Sequence, residues 1–202
     1  MKLLHIDSSI LGDNSVSREL SASVVATVAA RHPEVHITHR DLGRDPVAHL
    51  SEDILAAAFI PEQDWSETQR RERALSDALI EEFLASDVVV IGAPMYNFSI
   101  PSQLKSWIDR IAAAGRTFRY TENGPVGLAG DKKVVVLSSR GGVYSTEQGQ
   151  LMDFQEDYLR AVMGFVGIDA VEVVRAESVS KGAEAREQAI AAARGAIEAL
   201  AL

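Results

Sequence analysis

The run 88-VVVIGAP-94 decides which fold this sequence can adopt. Its first four residues are β-branched and no charged or hydroxylated side chain interrupts it, which is typical of a strand buried on both faces of a parallel sheet. A second run, 134-VVVLSS-139, has nearly the same character. Because strands of this kind need helices on both faces, the two runs predict an α/β protein.

The rest of the chain supplies three more strands around this centre. With the two runs above, the predicted strands are Lys2–Asp7, Val35–Asp41, Val88–Pro94, Lys133–Ser139 and Val171–Glu177. Helical patterns separate them, and the second and fifth strands mix polar with apolar residues, as edge strands do. This predicts a doubly wound five-stranded parallel sheet of order 2-1-3-4-5. A ligand is expected where strands 1 and 3 end, because the chain reverses between them.

Composition narrows the functional classes. The 202 residues suit one domain, 1–202, and 29 acidic against 20 basic residues without a Lys/Arg cluster argue against nucleic acid as a partner. The absence of cysteine excludes thiolate metal sites and a cysteine nucleophile. No apolar run is long enough for a signal peptide or a membrane helix, so we expect a cytoplasmic protein.

The first strand leads into 7-DSSILGDNSVSREL-20, which carries four serines where a helix start needs one cap. It matches neither the lysine-containing phosphate loop nor the three-glycine dinucleotide fingerprint. Hydroxyls and the amides of a helix N-terminus can nevertheless hold a phosphate monoester, and Arg18 is a candidate for added charge. The alternative is a helix cap within an ordinary polar loop.

Two further loops follow the central strands. In 92-GAPMYNFSIPSQLKSW-107, large side chains and free amides stand where a parallel sheet binds ligands, although a loop that only caps the sheet would look similar. In 138-SSRGGVYS-145, paired glycines permit close approach of a ligand, or make a plain tight turn. Together with the serine loop, they predict a mononucleotide with a large ring.

Two connections are longer than a βα unit needs, Asp45–Thr68 and Ala114–Asp131. Asn123-Gly124 in the second predicts a two-stranded flap over residues 116–128. Long ordered connections usually serve a function, here the enclosure of a second ligand.

These stretches resemble the FMN-dependent NADH-azoreductases, a flavodoxin-like family of quinone and azo reductases. The resemblance runs nearly end to end and is most specific at 93-APMYNFSIPSQLK-105, 117-TFRYTENGP-125 and 139-SRGG-142. It implies a flavodoxin-like fold, non-covalent FMN, NADH or NADPH as electron donor, and a homodimer whose subunits share each active site.

The resemblance also assigns residues to the cofactor. The FMN phosphate would be held by Ser9, Ser15, Val16 and Ser17. The isoalloxazine would be flanked by Pro94, Met95, Tyr96, Asn97 and Phe98, and its pyrimidine edge would meet Ser139, Arg140, Gly141 and Gly142. The chain departs from the family at Val16, often Gln, whose amide can still donate to a phosphate. It also departs at Tyr144, often His, which bears on substrate preference and on a proton-donor role for that position.

The substrate slot is expected above the open face of the flavin. Its predicted lining is Phe59, Ile60 and Trp65 from the partner subunit, Phe118 and Tyr120 of the flap, and Tyr144. No catalytic base or nucleophile is evident, so the flavin must carry the redox step. One shared slot implies ping-pong hydride transfer through flavin N5, with one NAD(P)H per quinone and two per azo bond cleaved to amines.

Other functions have weaker support. His36 and His39 face opposite ways in a strand, and His5, His32 and His49 are isolated in the sequence, so no metal site is predicted. The Gly-x-Ser-x-Gly elbow of serine hydrolases is absent. The remaining alternatives are an electron-carrier flavodoxin, which usually lacks the two long connections, and a colourless flavin-free scaffold protein.

Overall fold

The computed structural model describes residues 1–202. Strands and helices alternate as predicted, with these bounds: β1 Lys2–Asp7, α1 Val16–Arg31, β2 His36–Asp41, α2 Glu52–Ala56, α3 Glu67–Ala85, β3 Val88–Pro94, α4 Ser102–Ile111, β4 Phe118–Thr121, β5 Gly124–Gly127, β6 Lys133–Ser139, α5 Glu147–Gln150, α6 Glu156–Phe165, β7 Val171–Ala176 and α7 Ala183–Glu198. Short 3-10 turns lie at Gly12–Asn14 and Glu62–Asp64.

Five parallel strands form the main sheet in the order β2-β1-β3-β6-β7, which is the predicted order 2-1-3-4-5. β3 is buried along its whole length, whereas β2 is exposed or half-buried, as expected for an edge. The register pairs Asp7 with Gly92 and Pro94 with Ser139. The carboxyl ends of β1, β3 and β6 therefore lie side by side, which brings the loops that follow them to one edge.

Helices cover both faces of the sheet. On one face α1 and α7 bury an apolar cluster that includes Leu20, Val24 and Ile190. On the other, α3, α4 and α6 surround Trp107, which is fully buried and packs edge-on against Phe83 at a centroid distance of 5.7 Å. Fully burying an apolar side chain such as that of Phe83 contributes about 1.5–3 kcal/mol, so the two helical layers stabilise the sheet between them.

The start of α1 lies unusually close to the sheet at Gly92. A Cβ at this position would lie 2.8 Å from Asp7 Oδ1 and 3.2 Å from the Ser17 carbonyl oxygen. Glycine therefore lets the first turn of α1 rest on β3, directly beside the loop that follows β1.

The two long connections have structure of their own. Ser51 caps α2 by accepting the Ile54 amide at 3.3 Å. The predicted flap is confirmed as the β4–β5 hairpin, in which Thr121 pairs with Gly124 across a two-residue turn. None of the helices combines the length and apolar character required to cross a bilayer.

Candidate functional site

Three loops meet at the carboxyl edge of the sheet: the β1 loop (residues 8–15), the β3 loop (95–101) and the β6 loop (140–146). The Tyr96 hydroxyl lies 3.2 Å from Ser9 Oγ and 3.3 Å from the Ile10 amide nitrogen. The Met95 amide donates to the Ser139 carbonyl at 2.8 Å. The structure thus brings the three predicted loops together through direct contacts.

The serines of the β1 loop and the first turn of α1 have different roles. Ser8 Oγ donates to the Gly92 carbonyl at 2.7 Å and ties the loop to β3. Ser15 is the N-cap of α1 and accepts the Arg18 amide at 3.3 Å. Ser17 Oγ is 3.1 Å from Ser15 Oγ, and both side chains are buried. Ser8 therefore anchors the loop, Ser15 caps the helix, and the Ser15 and Ser17 hydroxyls lie together at the helix start.

The first amides of α1 have no acceptor within the chain. Neither the Val16 nor the Ser17 N–H makes a hydrogen bond to backbone or side chain, and both residues are buried. Buried, unpartnered N–H groups at a helix N-terminus carry positive partial charge and form a binding site for an anion. With the Ser15 and Ser17 hydroxyls, they make a cradle suited to a phosphate group.

The expectation that Arg18 adds charge to this cradle is wrong. Its guanidinium makes two 2.7 Å hydrogen bonds to the Asp41 carboxylate and lies 3.3 Å from Asp7 Oδ2. The hydrogen bonds to Asp41 raise the pKa of Arg18, and those from Arg18 lower the pKa of Asp41. The charge of Arg18 is compensated, so hydroxyls and amides are the groups that remain for an anion.

His5 is not isolated, as its position in the sequence suggested. Its ring stacks on His39 with centroids 4.4 Å apart, and the Nε2 atoms of His5 and His39 lie 3.4 Å and 3.0 Å from Asp7 Oδ2. Burial raises the pKa of Asp7, but hydrogen bonds from His5, His39 and Ser21 outweigh it and hold that pKa below its usual value.

These three side chains form a cluster of potential metal ligands. Both ring nitrogens already have partners, however: each Nε2 lies beside Asp7 Oδ2, His5 Nε2 is also 2.9 Å from Ser21 Oγ, and the Arg18 guanidinium lies 3.3 Å from the same carboxylate oxygen. We therefore interpret the cluster as an ion-pair network beneath the β1 loop and assign no metal to it.

The β3 loop turns sharply between Tyr96 and Ser99. Their backbone groups exchange hydrogen bonds of 3.0 and 3.1 Å, and both central residues are left-handed, Asn97 with φ 47° and Phe98 with φ 72°. This is the type I′ pattern, which is unusual for a phenylalanine and marks a strained position. The amides of Asn97 and Phe98 have no acceptor within the chain. The turn therefore offers two free donors at the edge of the sheet.

A cavity of about 640 Å³ opens beside this turn, lined by Ile10, Met95, Tyr96, Asn97, Ile100, Ser102 and Gln103. Its volume is in the range of small-molecule and cofactor pockets. Met95, Tyr96 and Asn97 were predicted from the sequence to line a binding site, whereas Ile10, Ile100, Ser102 and Gln103 were not. The signal for Ile10 was an apolar residue between the serines of a polar loop.

The β6 loop also presents free amides. The N–H groups of Gly141 and Gly142 have no acceptor, while backbone bonds of 2.9–3.1 Å join Arg140 and Gly142 to the segment 176–179. The paired glycines are thus held in place by the chain beyond β7. Their amides remain available to the polar edge of a ring.

Arg140 occupies an interior position. Its side chain is 1% exposed, with Nε donating to Ser138 Oγ at 2.9 Å and Nη2 paired with Asp153 at 2.9 Å and with Glu156. The whole residue is buried, and its backbone N–H and C=O are bonded to Ala176 and Val179, so Arg140 presents no free polar group to a ligand. The sequence did not predict that this side chain would link the end of β6 to Asp153 and Glu156.

The predicted substrate residues do not share one pocket within the chain. Phe59, Phe118 and Tyr120 line a second cavity of about 340 Å³ between α2, α3 and α4, which has no lining residue in common with the first. Phe118 is largely buried, with its ring centroid 4.5 Å from that of Phe165. Roofing of the ring by Phe118 and Tyr120 of the same chain is therefore not supported.

The other three residues lie elsewhere. The Trp65 indole donates to the carbonyls of Ala57 at 3.0 Å and Ile60 at 3.2 Å, so Trp65 packs on its own subunit. Ile60 is 38% exposed beside it. Tyr144 belongs to the β6 loop, and its ring centroid lies 6.2 Å from that of Phe98 in an edge-on arrangement. Of the predicted substrate residues, Tyr144 is therefore the one that lies next to the three loops.

The fold and site define a class. A five-stranded parallel sheet of order 2-1-3-4-5 between two helical layers defines the protein as flavodoxin-like, and the anion cradle and the cavity lie at the carboxyl edge, where such sheets bind ligands. A family model described as flavodoxin-like fold matches residues 1–201.

Known proteins narrow the class. The FMN-dependent NADH:quinone oxidoreductase of Chromobacterium violaceum is 64% identical over 202 residues, covering 100% of both chains. An azoreductase from Bacillus anthracis superimposes with a TM-score of 0.88 at 31% identity, covering 98% of this chain and 96% of that one. An FMN-dependent NADH-azoreductase from Bacillus anthracis in complex with FMN has a TM-score of 0.88 at 26% identity, covering 100% and 99%. The chain belongs to the family of FMN-dependent NADH:quinone oxidoreductases.

Proposed function

We propose that residues 1–202 form one FMN-binding domain of an NAD(P)H oxidoreductase that reduces quinones and azo compounds. The observation that carries this proposal is the pair of buried, unpartnered amides of Val16 and Ser17 next to the Ser15 and Ser17 hydroxyls. A cradle of this kind fits a phosphate monoester, and the 640 Å³ cavity at the same edge of the sheet has room for a large ring.

The loops also match the apolar face and the polar edge of a flavin ring. Met95 and Ile10 provide apolar surface in the cavity. The free amides of Asn97 and Phe98 on one side, and of Gly141 and Gly142 on the other, can donate to ring nitrogens and carbonyl oxygens. Each such hydrogen bond contributes about 0.5–1.5 kcal/mol, so together they orient the ring as well as bind it.

Hydride transfer from a nicotinamide to flavin N5, and from there to an acceptor, is the chemistry that FMN supplies when it is bound. The residues of the chain bind and orient the reactants. No carboxylate, lysine or histidine lines the 640 Å³ cavity. Substrate protons therefore come from water or from a hydroxyl such as that of Tyr120 or Tyr144.

The same arrangement supports alternating use of one slot. If the β3 loop covers one face of the ring, then nicotinamide and acceptor must bind in turn to the other face. A quinone takes up one hydride equivalent to become the hydroquinone, and cleavage of an azo bond to two amines takes up two. We infer ping-pong kinetics with those stoichiometries.

We further propose a homodimer in which the partner subunit completes the slot. Phe59 is 80% and Tyr120 75% exposed, although both line an apolar cavity that a second surface could cover. Within one chain this cavity is separate from the one beside the β3 loop. Contribution of Phe59 and Tyr120 to a substrate slot therefore requires the neighbouring subunit. We retain a cytoplasmic location as a proposal from the sequence.

A visible spectrum tests the function directly. The purified protein should be yellow and should release FMN, not FAD, on acid treatment. Anaerobic NADH or NADPH should bleach it and a quinone should restore the colour. A colourless protein that gains no activity with added FMN contradicts the proposal, and a yellow one that neither nucleotide bleaches would favour an electron carrier.

Steady-state kinetics tests the shared slot. Parallel double-reciprocal lines are expected when both substrates vary, with one NAD(P)H consumed per quinone and two per azo bond. Intersecting lines would indicate a ternary complex and contradict alternating use of one slot, even if the protein is a flavin reductase.

A further inference from the structure

Glu177 lies immediately beyond β7 and makes a dense set of contacts with the β6 loop. Its Oε1 accepts the amides of Tyr144 at 2.7 Å and Ser145 at 3.0 Å, and its Oε2 accepts the Ser145 hydroxyl at 2.6 Å. Arg140 Nη1 is 3.4 Å from Oε1. One carboxylate thus receives four donors from a single neighbouring loop.

These contacts fix one end of an otherwise exposed segment, residues 143–154, which we call the β6 excursion. Within it Leu151 is 75% and Phe154 59% exposed. The other end is held where the Phe154 amide donates to the Phe98 carbonyl at 2.9 Å and Asp153 pairs with Arg140 at 2.9 Å. The buried Arg140 side chain therefore connects both ends of the excursion.

The tether at Glu177 is separate from the anchorage of the paired glycines. Gly142 accepts the Ser178 amide, and the backbone of Arg140 pairs with Ala176 and Val179, all without the Glu177 side chain. Tyr144, in contrast, is held through its own amide by Glu177 while its ring packs edge-on to Phe98. Loss of the carboxylate should release Tyr144 and leave Gly141 and Gly142 in place.

We propose that Glu177 is a positioning residue that holds Tyr144 against Phe98 of the β3 loop, and that through Tyr144 it acts on substrate binding and not on FMN binding. The consequence for substrates rests on the proposed function, whereas the tether itself does not. Because NAD(P)H and the acceptor share the slot, release of Tyr144 affects both.

Hydrogen exchange tests the tether without any enzyme activity. In Glu177→Ala, exchange of the Tyr144 and Ser145 amides should accelerate at least about tenfold, since each loses a bond to a charged acceptor. Amide exchange in the strands of the sheet should not change. Glu172→Ala is the matched control, because Glu172 is exposed on β7 and makes no side-chain hydrogen bond. Unchanged exchange at Tyr144 and Ser145 would overturn the proposal even if FMN chemistry were confirmed.

Steady-state kinetics tests the proposed effect of Glu177 on substrate binding. Glu177→Ala should raise KM for 1,4-naphthoquinone and for NADH about tenfold at an unchanged FMN dissociation constant. In a Tyr144→Ala background the same substitution should add nothing, because the residue through which Glu177 acts is gone. An additive effect in that background, or a weakened FMN affinity, overturns the assignment. If Glu177→Ala does not fold, Glu177→Gln replaces it, because glutamine retains the size but loses the charge and one acceptor. Amide exchange, KM and the FMN dissociation constant of this variant then test the proposal in the same way.

Discussion

At the scale of single residues, the phosphate cradle is built from small neutral groups. Ser17 is fully buried, and its hydroxyl contacts only Ser15 within the chain. The nearby guanidinium of Arg18 is bound by Asp41 and Asp7. Each hydroxyl or amide therefore matters more for anion binding than it would beside a free lysine.

Ser17→Ala should weaken FMN binding about ten- to a hundredfold, because a phosphate oxygen loses a hydrogen bond worth roughly 1.5–3 kcal/mol. Titration with FMN and with riboflavin measures this, since riboflavin has no phosphate and its affinity should not change. Ser23→Ala, on the same helix with its hydroxyl bonded to the Glu19 carbonyl, is the control. Equal weakening of both flavins would mean that the substitution acts through fold stability.

Asp41 should make stability depend on pH in the acid range. Its pKa is lowered by the hydrogen bonds from Arg18, so it stabilises the fold above its unfolded pKa of about 3.9 and loses that contribution as the pH falls through the lowered value. Asp41→Asn should cost about 1–3 kcal/mol at pH 7, and this difference from the wild type should shrink below about pH 4. Urea unfolding across pH 3–7 measures it, with exposed Asp169→Asn as the control. A pH-independent difference would contradict this origin.

At the scale of elements, the β3 loop shows how a strand end becomes a binding surface. The strand stops at Pro94, and the Tyr96–Ser99 turn forces two non-glycine residues into left-handed conformations. Such residues cost about 1–3 kcal/mol each and persist where the surroundings hold them. The turn leaves the amides of Asn97 and Phe98 free to donate hydrogen bonds to the polar atoms of a bound ring.

Asn97→Val should destabilise the protein by about 1–3 kcal/mol, because a β-branched side chain is strongly disfavoured at φ 47°. Asn97→Gly adopts this φ without strain, so its stability should remain within about 1 kcal/mol of the wild type. Urea unfolding of the two variants compares them at one backbone position. Equal stability of the valine and glycine variants would show that the turn relaxes to another conformation.

At the scale of the whole molecule, the separation of the two cavities is the main consequence of the fold. The cavity with Phe59 and Tyr120 lies between α2, α3 and α4, away from the β3 loop. A slot lined by all the predicted substrate residues therefore cannot form within one chain. A second subunit is the simplest way to bring them together.

Phe59→Asp should shift sedimentation toward the monomer and raise KM for quinones, because a charge replaces an 80% exposed apolar ring in the proposed interface. Leu151→Asp changes a residue that is 75% exposed outside this cavity and should leave the oligomeric state unchanged. An active wild-type monomer at assay concentration would rule out the shared slot.

The sequence by itself determined the sheet and the edge at which the candidate site lies. Continuous apolar runs at β3 and β6 require cover by helices on both faces, and with the two polar strands at the edges the order 2-1-3-4-5 fits best among doubly wound sheets, as observed. The loops after β1, β3 and β6 then had to meet, because carboxyl ends of parallel strands share an edge. The pattern of apolar and polar residues, together with the need to bury the apolar ones, was sufficient to predict the sheet and the meeting of these loops.

Only the tertiary structure decided where the charged and aromatic side chains go. Arg18 lies at a helix start where it could face an anion, yet Asp41 arrives from the next strand and binds it. His5 and His39 are distant in sequence, but the parallel register stacks them on one carboxylate. Arg140 and Glu177 likewise meet across neighbouring strand ends. The partners of a long side chain are the groups that lie close to it in space, and hydrophobic periodicity along the chain does not predict which groups these are.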